Sequence, residues 1–226
     1  MSQDIAKEAA GRKAAEFIED GMIVGLGSGS TAACFIEALV QKAKRGLRIQ
    51  AVASSRHSAD LAKAGGIAVS DINAVPRVDI TVDGADEIDP QKRMIKGGGG
   101  AHVREKILAA ASDEMVVIVD ETKLVSALGR AKLPVEVLFY GSPSTRRKIE
   151  ELGYQGRWRT NPDKTFYLTE NGNLIFDIHF PSPPPHPEKD HENIIRIPGV
   201  VDTGFFFGLA GRVVVGRSDG QTEVLF

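Results

Sequence analysis

Between residues 22 and 120 short apolar runs and helix-like segments take strict turns, and this alternation limits the fold more than any other feature of the chain. MIVGL (22–26) is a short apolar run ending in glycines, followed by TAACFIEALVQKAK, in which Phe35, Leu39 and Ala43 recur at helical intervals. The pattern repeats through RIQAVAS, the helix-like SRHSADLAKAG, VDITVDGA, the helix-like AHVREKILAAA and EMVVIVD. Strands and helices in alternation predict an α/β fold, a parallel sheet covered by helices. An opening helix is expected over residues 3–19, where Ile5, Ala9, Phe17 and Ile18 share a face and Gly21 ends the run.

Beyond residue 131 the texture changes to that of a smaller α+β unit. LPVEVLF reads as a strand, STRRKIEELG as a helix, and FYLTENGNLIFDIHF as a hairpin turning at Asn171-Gly172. PSPPPHP (181–187) is a loop, because proline fixes φ and lacks a backbone donor. The final RVVVGRSDGQTEVLF reads as two strands joined around Asp219-Gly220.

Composition removes several function classes. With 28 basic and 30 acidic residues the formal net charge is −2, so the molecule lacks the electrostatic footprint of a nucleic-acid binder, and any bound anion is held locally. Cys34 is the single cysteine, which forbids an intrachain disulfide and suits a reducing compartment. The first residues mix Asp4 and Glu8 with Lys7 and Arg12 and contain neither a signal-peptide core nor a membrane-spanning run; the expected location is cytoplasmic.

Gly27-Ser28-Gly29-Ser30-Thr31 sits between a strand and a helix, where unpaired N–H groups and the positive helix end favour an anion. The bland alternative is a tight turn in which Ser30 or Thr31 caps the helix. The turn fits G-x-G-x-x-A, but the next strand ends in Ser54-Ser55 where a ribose-binding acid belongs, which weighs against NAD. No Gly-Lys-Ser or Gly-Lys-Thr follows, which argues against ATP. Three hydroxyl residues among glycines point to a sugar phosphate.

The strand VDITVD ends at Asp83, and Asp86, Glu87 and Asp89 follow Gly84 and Ala85. Asp83 and Asp86 are read as functional, and Glu87 and Asp89 as a solvated acidic turn. Such acids also suit Mg²⁺ or Ca²⁺, but their spacing matches no EF-hand loop, so no metal is expected. Lys96-Gly97-Gly98-Gly99-Gly100 is costly in backbone entropy, which a close approach to a ligand would justify; a flexible hairpin or linker is the alternative, disfavoured by the flanking lysine and the following helix. Glu105 has Ala101, His102, Leu108 and Ala109 three and four positions away, which would desolvate its carboxylate in part and suit it as a general base; with Arg104 and Lys106 beside it, an ordinary solvated helix glutamate is the reading the residues alone favour. His186 and His191 are expected in solvent.

Taken in order, G-S-G-S-T, A-S-S, D-G-A-D-E-I-D, K-G-G-G-G with R-E-K, and D-E-T-K resemble the ribose-5-phosphate isomerase A family, and the resemblance continues through LP-V-E-V, G-N-L-I-F-D-I and IPGVV-D-T-G-F-F. It implies a Rossmann-like parallel sheet with helices on both faces (residues 1–130 and 209–226) and a smaller α+β domain (131–208) inserted before the C-terminal strands. It implies Glu105 as proton acceptor, with Asp83, Asp86 and Lys96 also catalytic. Substrate contacts follow at Ser28, Gly29, Ser30, Thr31, Asp83, Gly84, Ala85, Asp86, Lys96, Gly97, Gly98, Gly99 and Lys123, and Lys7 matches a further basic position. It implies ribose 5-phosphate and ribulose 5-phosphate as substrates, no cofactor, and a homodimer or homotetramer. His102, Arg56-His57 and the 181–187 loop depart from the family pattern. Competing readings are a sugar-phosphate sensor domain without catalysis, an NAD-dependent oxidoreductase, and a coenzyme A transferase with a glutamate nucleophile.

Overall fold

The structure, a computed structural model, describes residues 2–226. In chain order its elements are α1 (Ser2–Ala15), β1 (Ile23–Leu26), α2 (Ser30–Lys44), β2 (Gln50–Ala53), α3 (Arg56–Ala64), β3 (Ala68–Ser70), β4 (Val78–Asp83), β5 (Glu87–Ile88) and β6 (Met94–Ile95). Then come α4 (His102–Ala110), β7 (Ser112–Asp120), β8 (Leu133–Val137), α5 (Ser142–Glu151), β9 (Gln155–Trp158), β10 (Leu174–His179), α6 (Pro187–Ile195), β11 (Val200–Thr203), β12 (Phe205–Phe206), β13 (Ala210–Gly216) and β14 (Thr222–Leu225). Two compact units contain them. One comprises the residues up to Ala85 with Arg104–Leu124 and Gly208–Phe226; the other comprises Asp86–Val103 and Val125–Phe207.

The first unit is built on a seven-stranded sheet of order β14-β13-β7-β4-β1-β2-β3, in which only β14 runs antiparallel to its neighbour. Alternation along the strands sorts residues between its faces. Val24 and Leu26 of β1 and Ile80 and Val82 of β4 pack with Phe35, Ile36 and Leu39 of α2 and Ala10 and Ala14 of α1. Gly25 and Thr81 look the other way, toward Leu108 of α4. Helices therefore cover both faces, as the alternating sequence requires. α1 and α2 cross closely because residue 11 is glycine: a Cβ there would lie 2.6 Å from the backbone nitrogen of Phe35. A mid-helix glycine costs about 1 kcal/mol against alanine, which the close packing offsets.

The second unit holds a four-stranded antiparallel sheet, β11-β8-β10-β9, and a three-stranded one, β12-β6-β5. Its core joins Leu133, Val135 and Val137 of β8 to Phe176 and Ile178 of β10 and to Ile149 and Ile194 of α5 and α6.

Three expectations need correction here. A turn does form at Asn171-Gly172, where Gly172 takes φ 78° and Asn173 Nδ2, Asn171 Nδ2 and the Thr169 hydroxyl all donate to Glu136 Oε1. Residues 166–168, however, do not pair with β10, because β8 and β9 already occupy both of its edges. Only 181–186 of the proline-rich stretch is loop, since Pro187 starts α6, a position where its missing N–H costs nothing. His186 is exposed, but His191 is half-buried, with Nδ1 2.8 Å from the Thr203 hydroxyl and its ring edge-on to Phe207.

Candidate active site

From β1 the chain winds outward through β2 to β3, whereas β4, β7 and β13 extend the sheet in the opposite direction. β1 and β4 are therefore the topological switch point, and ligands of open α/β sheets bind beyond the carboxyl ends of such strands. Gly27 and Asp83 stand there. Gly27 N donates to Val82 O at 2.9 Å, and Ser28 N and Gly84 N donate to Asp83 Oδ1 at 3.0 and 2.7 Å. The Asp83 side chain is fully buried. A Cβ on Gly27 would fall 2.1 Å from the Asp83 carboxyl, so the glycine makes room for the acid.

The turn is braced from below. Ser28 Oγ lies 2.8 Å from Ser54 Oγ, Ser54 Oγ bonds Leu26 O at 3.1 Å, and Ser58 Oγ bonds Gly27 O at 2.6 Å. Ser54 and Ser58 are buried, and Ser55 caps α3. This is the use of the serines that stand where a dinucleotide site would carry its acid. α2 has Gly29 at its N-cap, with φ 90° and no side-chain cap, so neither Ser30 nor Thr31 caps it. Gly29 and Ser30 are exposed and Thr31 half-buried, which leaves the first-turn N–H groups of a 15-residue helix available to an anion.

Lys123 closes a short 3-10 turn, Glu121–Lys123, that leaves β7 at the same end of the sheet. Asp120 starts the turn by accepting from Thr122 N at 3.0 Å and from Gln3 Nε2 at 3.2 Å. Burial alone would raise the Asp120 carboxyl, but the bonds from Thr122 and Gln3 outweigh it and hold it below the usual carboxylate range. Lys7 is half-buried on α1 and near enough to Cys34, one turn beyond Thr31, to oppose the rise that burial and then Glu37 and Glu8 impose on its thiol.

Glu105 is placed by α4. Val78 pairs with Ser112 at the start of β7, two residues after α4 ends, so α4 runs back along the sheet with its first turns toward the carboxyl ends of the strands. Leu108 sits over Gly25, and Ser112 Oγ links Leu108 O at 2.7 Å to Thr81 Oγ1 at 2.6 Å. One turn before Leu108, Glu105 lies on the Asp83 side and is 4% exposed. Both carboxylates therefore belong to one face and one end of the sheet, and Glu105 is desolvated, not the solvated helix glutamate that its flanking residues alone favour.

The second unit carries Asp86, Lys96 and the glycine loop. Lys96 is 3% exposed, its N–H donates to Gly204 O at 2.8 Å, and its ammonium lies 5.4 Å from the centroid of the Phe206 ring. Gly97 takes φ 100° and packs on the His102 ring, where a Cβ would lie 2.8 Å from Nδ1. Asp86 Oδ2 accepts from Gly98 N at 2.7 Å. Gly100 N closes the turn on Gly97 O at 3.0 Å. The four glycines form an ordered turn and not a flexible linker.

Glu87 and Asp89 are not a solvated turn. Glu87 is buried and accepts from Gly129 N at 2.8 Å and from Ala131 N; Asp89 is buried and accepts from Gln91 N at 3.0 Å, Arg93 N at 2.9 Å and Arg93 Nε at 2.6 Å. Both are structural acceptors. They look like Asp83 and Asp86 in sequence because backbone N–H groups and ligands recruit the same side chain. Among the described residues no three His, Cys, Asp or Glu side chains cluster as a metal site, and no helix is long and apolar enough to cross a membrane.

The fold is a doubly wound α/β one, with the first turn of α2 open to an anion at the switch point of its sheet. Residues 50–220 match the family model described as ribose 5-phosphate isomerase A (phosphoriboisomerase A). Ribose-5-phosphate isomerase A of Protochlamydia amoebophila is 49% identical, with 97% of this chain and 95% of the relative covered. That of Parvibaculum lavamentivorans is 46% identical, covering 100% and 99%. Among solved structures, a D-ribose-5-phosphate isomerase in complex with phospho-erythronic acid superposes with a TM-score of 0.94 at 35% identity over 100% of this chain and 99% of that one. The ribose 5-phosphate isomerase of Plasmodium falciparum gives 0.94 at 30% identity over 98% of both. The chain belongs to the ribose-5-phosphate isomerase A family.

Proposed function

We propose that this chain interconverts D-ribose 5-phosphate and D-ribulose 5-phosphate with Glu105 as the general base. The observation that carries the assignment is the burial of Glu105 on the sheet face and at the sheet end it shares with Asp83. Glu105 removes the proton from C2 of the open-chain aldose; the C–H electron pair forms the C1=C2 bond and the carbonyl pair moves onto O1. Returning the proton to C1 gives the ketose. Asp83, held by two backbone N–H groups, carries the hydroxyl proton between O2 and O1.

Lys96 supplies positive charge to the enediolate oxygen, with backbone N–H groups of the glycine loop. A preorganised donor of this kind is worth about 3 kcal/mol. The N–H groups of Lys96, Gly98 and Gly100 are already committed within the protein, which narrows the backbone donors to Gly97 and Gly99. Asp86, by holding Gly98, shapes that loop. The phosphate sits on the first turn of α2 at Ser30 and Thr31, with Lys123 as counter-charge. The phosphorylated four-carbon acid in the solved relative fits a site of this chemistry. A homodimer or homotetramer in the cytoplasm completes the reading, and light scattering on the purified protein measures the assembly.

The test is ribulose 5-phosphate formation from ribose 5-phosphate by purified protein in excess EDTA, with Glu105→Ala alongside. Turnover that resists the chelator and disappears in the variant is expected. Unchanged substrate with the wild type would move the assignment to a sugar-phosphate sensor.

A further inference from the structure

Three successive carbonyls of the glycine turn are held from one side. Arg159 Nη1 donates to Gly97 O and Gly98 O, each at 3.0 Å, and the Tyr167 hydroxyl donates to Gly99 O at 3.0 Å. Arg159 is itself locked as a fork on Asp177, Nε to Oδ2 at 3.0 Å and Nη2 to Oδ1 at 2.5 Å, and its guanidinium lies 5.7 Å from the Tyr167 ring centroid. Asp177 is 5% exposed, and the Arg159 side chain is 10% exposed. Neither residue is near the glycines in sequence, and none of the catalytic assignments uses them.

The arrangement orients individual peptide groups. In a trans peptide the C=O and the following N–H point in opposite directions. The 97–98 group is gripped at both ends, its carbonyl by Arg159 and its N–H by Asp86. The 98–99 group is gripped at its carbonyl alone, so its N–H, that of Gly99, is turned to the opposite side from the guanidinium. Glycines at 98 and 99 carry no side chain to hold this geometry, and without the clamp the peptide groups rotate at little cost.

We propose that Arg159, locked by Asp177, together with Tyr167, is a positioning element that aims the Gly99 N–H at the oxygen on which negative charge develops. The inference rests on the isomerase reading. It accounts for why a buried bidentate ion pair is placed on carbonyls of a turn that is otherwise held only by Asp86 and by its own Gly100–Gly97 bond: a charge-assisted fork sets both distance and direction. Neither side chain touches the reacting atoms.

The experiment compares wild type, Arg159→Met and Tyr167→Phe in steady-state isomerisation. It also compares inhibition by phospho-erythronic acid, whose carboxylate mimics the charged enediolate, with inhibition by erythritol 4-phosphate, which lacks that charge. Arg159→Met is expected to lower kcat by about 10- to 100-fold, as for a misaimed oxyanion donor, with KM within about threefold of wild type. It should weaken the acid by a similar factor and leave the polyol phosphate, which lacks the carboxylate, unchanged. Tyr167→Phe removes one hydroxyl from a half-buried side chain and should show the same pattern at about three- to tenfold, which decides the matter if Arg159→Met does not fold. Equal weakening of both inhibitors, or wild-type kcat in the variants, overturns the inference while leaving an active isomerase; an inactive wild type overturns the isomerase reading and this inference with it.

Discussion

The acidic end of the β1–β4 switch point and the glycine turn of the second unit hold their functional groups in different ways. At the switch point Asp83 ends a strand, Glu105 rides a helix, and their supports, Gly27, Ser28 and Gly84, are neighbours in sequence or in the sheet. In the glycine turn the supports come from Asp86, Arg159 and Tyr167, up to 68 residues away. A site on regular elements inherits its precision from backbone hydrogen bonding; a site on glycine has to import it through side chains.

The largest effect that would break this comparison is loss of the base itself. Glu105→Gln is expected to cost about 10³-fold in kcat with intact folding, since positioned acid–base groups contribute 10²–10⁴-fold. Circular dichroism with a single-turnover assay checks it, and near-normal turnover would remove Glu105 from the role. Next comes Gly27→Ala, whose methyl would stand 2.1 Å from the Asp83 carboxyl. Displacing that acid should cost about 10²-fold in kcat, the scale of a 1 Å misplacement. A variant as active as wild type would show that Asp83 needs no fixed position.

A third substitution sharpens the split between binding and chemistry. Lys123→Ala should raise KM about tenfold with kcat within a few-fold of wild type, because a phosphate contact made equally in ground and transition states is uniform binding. A fall in kcat at constant KM would place Lys123 in the chemical step instead. The smallest effect concerns stability. The Asp120 carboxyl is lowered from 3.8 by the bonds that outweigh its burial, so its contribution is full above the unfolded value and is lost as pH falls through the folded one. The difference in urea midpoint between wild type and Asp120→Asn should therefore be present at pH 7 and shrink below about pH 4. A pH-independent difference would mean that the proton plays no part.

Much of the switch point was legible before folding, because its signals are local. Strand periodicity delivered β1, β4 and β7 to one sheet, and Gly27-Ser28-Gly29 marked the turn beside them. Glu105 was singled out by the family resemblance, since with Arg104 and Lys106 beside it the residues alone favoured a solvated helix glutamate. Glu87 was misread because nothing nearby announces Gly129 and Ala131, whose N–H groups it accepts from across more than 40 residues, whereas Asp89 was misread although its partners, Gln91 and Arg93, are local. The hairpin at 166–180 failed for a related reason: turn chemistry at Asn171-Gly172 is local, but which strand lies beside β10 is a competition that β9 wins.

The sequence by itself determined the α/β alternation, the position of the glycine turns and the residue types available for proton transfer, since these depend on periodicity and backbone freedom within a few residues. Only the tertiary structure decided which acids are buried at the switch point of the sheet and which reach backbone N–H groups far along the chain. It alone brought Arg159, held by Asp177, and Tyr167 onto the Gly97–Gly99 carbonyls. The physical reason is that a hydrogen bond depends on distance and direction in space, and a chain reveals neither for partners 60 residues apart until its sheets have closed.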